Sequence, residues 1–175
     1  MRRLLLLRHA KTERPVFGGE DRDRKLTARG HHDAPKIAAY MAHHALIPDR
    51  AIVSPARRAR ETWELIAAGI RPAPRPTYDE RLYDATPQAI LDIVRTCGRD
   101  VSTVLIVGHN PGLHELAVSL VATGEVDTRQ RLNEKFPTSA LAVIDFALDD
   151  WSRLHPQAGR LDHFVSPRSL ASATD

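Results

Sequence analysis

Histidines and arginines stand where the apolar runs of this chain end. The run Leu4, Leu5, Leu6, Leu7 gives way at once to Arg8 and His9. The run Ala51, Ile52, Val53 leads into SPARRARET, which carries Ser54, Arg57, Arg58 and Arg60, and the run at 104–107 leads into GHNPG, with Gly108, His109 and Asn110. Arginine presents a planar fork of donors and stays charged, so two such forks can grip different oxygens of a tetrahedral oxyanion. A neutral imidazole nitrogen is a competent nucleophile toward phosphorus, and a covalent intermediate splits one hard displacement into two easier ones. Positioning and charge neutralisation carry most of phosphoryl transfer. Taken singly, the segments read as turns or as a helix start capped by Ser54. Together, each at the end of an apolar run, they predict a phosphate site.

The elements that must deliver these residues follow from periodicity. Short apolar runs at 4–7, 51–53, 104–107 and 141–146, with a weaker one at 161–165, predict strands. Between them, Ala34, Ile37, Ala38 and Met41 fall on one helical face after a possible cap at Thr27. RARETWELIAAG, TPQAILDIVRTCG and GLHELAVSLVATG give further helices, the second with Thr86 as cap, Pro87 in the first turn and Gly98 at the end. Alternating strands and helices predict an α/β fold with a mostly parallel sheet and helices on both faces. Ligands gather at the carboxyl ends of such strands. ERPVFGGEDRDRK, RPAPRPTYDE and GEVDTRQRLNEKFPTS read as loops, and the residues from 166 onward as a polar tail.

Composition narrows the classes. The chain has 175 residues, 42% apolar and 27% charged, which suits one domain. No apolar stretch approaches the ~20 residues of a membrane helix, and the run after Arg2 and Arg3 is too short for a secretory leader, so a cytoplasmic protein is expected. A net charge of +3 with 5% aromatic residues and no basic run interleaved with them lacks the stacking platform of a single-strand nucleic-acid binder. Cys97 is the single cysteine and reads as a small core residue. His31-His32 and His43-His44 lack acidic or cysteine partners at ligand spacing and read as exposed. Lys11, Arg24 and Lys135 are candidates for the pocket mouth or for plain solvated charge.

LRHAKT, DRKLTARG, SPARRARET, YDERLYDATP, VGHNPGL and FPTSALAV together resemble the histidine phosphatase superfamily, the branch that holds phosphoglycerate mutases, and within it the short SixA-like phosphohistidine phosphatases. The resemblance implies a three-layer α/β/α sandwich, phosphoglycerate mutase-like, in a single domain over residues 1–165 followed by a tail at 166–175. By the same resemblance His9 is the residue phosphorylated, Arg8 and Arg58 clamp the phosphate, and His109 is the second pocket histidine. Asn110 follows it as a substrate-binding residue, and Glu80, with Asp84 nearby, stands where larger relatives carry a general acid. No metal and no organic cofactor is expected. The substrate implied is a phosphohistidine-bearing protein, with small phosphomonoesters or nucleotides as alternatives; a non-catalytic phosphate-binding module is the reading from another class.

Overall fold

The four leucines of strand β1 (Arg2–Arg8) are buried to 0% exposure, and they divide between two clusters. Leu4 and Leu6 pack on one side of the sheet, Leu5 and Leu7 on the other. Successive strand side chains point to opposite faces, so an unbroken apolar run marks a central strand covered on both. Each buried leucine contributes about 1.5–3 kcal/mol relative to exposure.

The computed structural model describes residues 1–172. After β1 come α1 (Ala28–His43), β2 (Arg50–Val53), α2 (Arg57–Gly69), β3 (Pro76–Tyr78), α3 (Pro87–Arg95) and β4 (Thr103–Gly108). Then follow α4 (Gly112–Leu120), β5 (Val121–Gly124), α5 (Val126–Glu134), β6 (Leu141–Phe146), β7 (Gly159–Val165) and α6 (Pro167–Ser172). Among the described residues the sheet has seven strands in the order β3-β2-β4-β1-β6-β7-β5. β3, β2, β4 and β1 run parallel, β6 is antiparallel to both β1 and β7, and β5 pairs parallel with β7. Helices α3, α4 and α5 cover the Leu4/Leu6 face, while α1, α2 and α6 cover the Leu5/Leu7 face. This is the mostly parallel three-layer α/β/α arrangement expected.

The caps follow the sequence. Thr27 accepts from the Gly30 amide at 3.2 Å, Thr86 accepts from Ala89 at 3.1 Å, and Gly98 has φ +80°. Four segments differ from expectation. Val121 leaves the α4 helix in an extended conformation and its segment pairs with β7, so the expected long helix is a helix followed by β5. The stretch expected as a loop after it holds α5, whose one buried residue is Leu132. The proline-rich loop contains the edge strand β3. Within the expected polar tail, 167–172 form α6, with Leu170 against the core; residues 173–175 lie outside the described residues.

β1, β2 and β4 being parallel, their carboxyl ends emerge on one edge. Arg8 is level with Gly108, and Val53 with Val107, so His9, Ser54 and His109 follow side by side.

Candidate active site

The backbone at His9 is fixed from both flanks. Its amide donates to the Gly108 carbonyl at 3.2 Å, the Arg8 amide donates to Ala140 at 3.1 Å, and the Ser139 amide donates to the carbonyls of both Arg8 and His9 at 3.1 Å. Just beyond, Ala10 N–H donates to Thr62 Oγ1 at 2.9 Å, and that hydroxyl donates to the Arg58 carbonyl at 2.6 Å. Thr62 is fully buried and ties the strand end bearing His9 to the helix turn bearing Arg58. On the next flank, helix α1 crosses so closely that a Cβ on Gly30 would stand 2.3 Å from the Lys11 carbonyl, so only glycine fits there. Thr62→Val keeps the shape but leaves a buried amide unpaired. Unfolding free energy is expected to fall by about 1–3 kcal/mol, measured as a shift in denaturant midpoint; an unchanged midpoint would contradict the tie.

His9 is 6% exposed, and its Nδ1 lies 2.8 Å from the Ala10 carbonyl. A carbonyl only accepts, so Nδ1 carries the proton and Nε2 keeps its lone pair. Burial holds the His9 pKa down at about 3, with a smaller opposing effect from the Ala10 carbonyl and further lowering by His109, Arg8 and Arg58. His109, 8% exposed, is held at about 4, chiefly by burial and then by Arg58. Both imidazoles are therefore neutral at pH 7, with ring centroids 5.2 Å apart. His109 Nε2 lies 2.6 Å from Ser54 Oγ. Ser54 thus orients the second histidine rather than capping α2, whose N-cap is Ala56 without a side-chain bond.

Arg8 and Arg58 are both drawn into the pocket. Arg8 Nη1 donates to the Phe136 carbonyl at 3.1 Å, which also accepts from Asn110 Nδ2 at 2.8 Å. Burial chiefly, and then the charge of the Arg58 guanidinium, lower the Arg8 pKa from its ordinary value. Arg58 is 5% exposed, whereas Arg57 points outward and pairs with Glu61 at 2.9 Å. Asp21 braces Arg58: its carbonyl accepts from Nη1 at 2.8 Å and its Oδ2 from Nη2 at 3.1 Å, and Arg24 and the Tyr83 hydroxyl bind the same carboxylate. That company, led by Tyr83, holds the Asp21 pKa at about 2. Of five guanidinium donors on Arg58, two go to Asp21 and three remain.

These residues line one pocket of about 430 Å³: Arg8, His9, Arg58, His109 and Asn110, with Asp21, Arg24, Lys11 and Asp84 at its margin. Among the described residues six buried side-chain polar atoms have no hydrogen-bond partner, and four belong to this lining: Nε of Arg8 and Arg58, Nδ1 of His109 and Oδ1 of Asn110. Buried polar groups are nearly always satisfied. Three of the four can donate to an oxyanion.

Glu80 departs from expectation. Its side chain is 70% exposed and ion-paired with Arg22, which lowers its pKa, and it is absent from the pocket lining. The 3-10 turn Glu80–Leu82 buries Leu82 and turns Glu80 outward, leaving Asp84, with φ +51°, as the carboxylate from this segment at the pocket. Asp21, Thr62 and Tyr83 were not singled out from the sequence. For Thr62 the signal was its place at the end of SPARRARET; for Asp21, among Glu20, Asp21 and Asp23, there was none.

A site that converges two arginines and two neutral imidazoles at the carboxyl edge of an α/β sheet is the architecture of a histidine phosphatase, and the chain belongs to the histidine phosphatase superfamily, branch 1, whose family model matches residues 4–89. That places it among the phosphatases. An uncharacterized protein of Mycobacterium tuberculosis is 36% identical over 164 residues, covering 93% of this chain and all of that protein. The crystal structure of a candidate phosphohistidine phosphatase SixA from Agrobacterium tumefaciens is similar at 30% identity with a TM-score of 0.81, over 95% of this chain and 98% of that one. A second candidate SixA structure, from Nakamurella multipartitia, gives 27% identity and the same TM-score, over 95% and 96%.

Proposed function

We propose that this chain hydrolyses phosphohistidine in proteins through a phosphoryl intermediate on His9. The observation that carries the mechanism is the Nδ1 contact with the Ala10 carbonyl, which leaves Nε2 as the free nucleophile. In the first step the Nε2 lone pair forms a bond to phosphorus as the substrate's P–N bond breaks. Arg8, Arg58 and His109 neutralise the equatorial oxygens. A water then attacks phospho-His9, the P–Nε2 bond breaks, and orthophosphate leaves.

The leaving group decides between substrates. An alkoxide needs a proton from an acid, whereas a phosphorylated imidazole takes a proton on its other nitrogen near its ordinary pKa of about 6.5 and departs as neutral histidine. Glu80, paired with Arg22, and Asp21, held at about 2, are poor proton donors at neutral pH. This favours the P–N substrate and fits the similarity to the candidate SixA structures. Asp84 at the pocket margin is the group that would serve the alternative, small phosphomonoesters. The test compares phosphohistidine with aryl phosphates on wild type and Glu80→Gln. Phosphohistidine is expected to be preferred, with Glu80→Gln within about twofold on both. Dominant ester hydrolysis, with or without a collapse in Glu80→Gln, would overturn the assignment.

The free-enzyme pH profile follows from the two imidazoles. Because His9 and His109 are held at about 3 and 4, falling pH protonates them only well below 6.5. The acid limb of kcat/KM on an aryl phosphate, corrected for substrate ionisation, is expected below pH 5. A limb near 6.5 would show that the imidazoles are solvated.

A further inference from the structure

The loop between β1 and α1 leaves the pocket at Pro15 and returns to it at Asp21. Between these feet the chain makes a turn in which the Gly19 amide donates to the Val16 carbonyl at 2.9 Å and Gly18 takes φ +79°, the third-position conformation of a type II turn. Its apex carries Val16 and Phe17, 64% and 105% exposed. Large apolar side chains at the tip of a turn gain nothing for the fold, and an aromatic beside a reaction pocket is the residue type that anchors protein contacts. The returning foot is held by the Asp21 bonds to Arg58, so the turn is presented on a fixed base.

A second part of the rim differs in chemistry. A groove of about 350 Å³ adjoins the reaction pocket, sharing Thr138 with it, and runs between the ends of α5 and α6. Lys135 and Arg168 line it, both exposed and without an ion pair among the described residues, over an apolar floor that includes Phe164. Nearby Arg29 and Arg131 balance Asp33 and Glu134 in charge, so the positive excess of the groove is that of Lys135 and Arg168.

From these two flanks we infer that the rim is a docking face for a folded phosphohistidine protein, which sets an apolar patch on Val16 and Phe17 and acidic side chains against Lys135 and Arg168. The inference rests on the function proposed above and narrows it. Free phosphohistidine breaks the same bond but spans neither flank, so the face acts through KM for the protein substrate alone.

The experiment measures kcat/KM for free phosphohistidine and for a folded, acidic phosphocarrier domain phosphorylated on histidine, using wild type, Phe17→Ser and Lys135→Glu/Arg168→Glu. Each variant is expected to lose about tenfold on the domain through KM, as a surface anchor does, while staying within about twofold on free phosphohistidine. The loss in the charge reversal should shrink at high salt, and that in Phe17→Ser should not. No loss on the domain, or equal losses on both substrates, would overturn the docking face and leave the proposed function standing. A wild type that hydrolyses esters but neither phosphohistidine form would overturn both.

Discussion

Replacing His9 by alanine is expected to lower kcat/KM by on the order of 10⁴-fold or more, the scale seen when a covalent nucleophile is removed. The loss should appear in kcat, because His9 forms its bond to phosphorus only as the reaction proceeds. Fold should survive. The His9 ring contributes one hydrogen bond, to the next residue's carbonyl, and the strand end is held by backbone bonds from Gly108, Ala140 and Ser139 that alanine keeps. Retained binding of inorganic phosphate with no turnover is therefore the expected phenotype. A variant that retained more than a few per cent of activity would mean that water, or another group, attacks phosphorus directly.

The second large effect belongs to Arg58. Its guanidinium is buried, faces the same pocket as both histidines, and has three donors left after Asp21 takes two. An arginine that neutralises a transferring phosphoryl group is worth about 10³–10⁵ in rate, so Arg58→Ala should cost roughly 10³-fold in kcat/KM. Arg58→Lys should recover little, since a single ammonium cannot meet the Asp21 carbonyl, its carboxylate and a phosphoryl oxygen in one plane. Arg57 offers the internal control. It is half exposed and engaged with Glu61 one helical turn on, a pair worth about 0.3–0.5 kcal/mol. Arg57→Ala should change kcat/KM by less than about threefold. Equal losses at the two positions would mean that the helix presents the wrong arginine to the substrate.

The residues proposed for this chemistry were legible in the sequence because each follows a run whose burial was legible too. The unbroken leucines of β1 could only lie in a strand covered on both faces, and such a strand must end at Arg8 and His9. The segments that escaped are those stabilised from a distance. α5 has one buried residue and hence little periodicity, and β5 continues the apolar rhythm of α4 until pairing with β7 turns it extended. β3 is an edge strand opened by a proline, a composition that reads as loop.

The same distinction holds within the site. Arg58 is told from Arg57 by the resemblance of SPARRARET to the histidine phosphatase pattern. Asp21 could not be told from Asp23, because its position depends on where a polar loop lands. Glu80 occupies an expected place in the chain, yet its short 3-10 turn buries Leu82 and gives the carboxylate to Arg22 instead. Local spacing fixes which residues share a strand end or a helix face, whereas the landing of a loop is decided by partners far away in the chain.

The most direct test of the mechanism is chemical trapping of the intermediate. Rapid acid-free quenching of the protein during turnover of a phosphorus-labelled substrate, followed by peptide mapping, should find up to one phosphoryl group per chain on the imidazole of His9, labile to acid, stable to alkali and absent from His9→Ala. Full turnover with the label never on His9, or with it on another residue, would contradict the account.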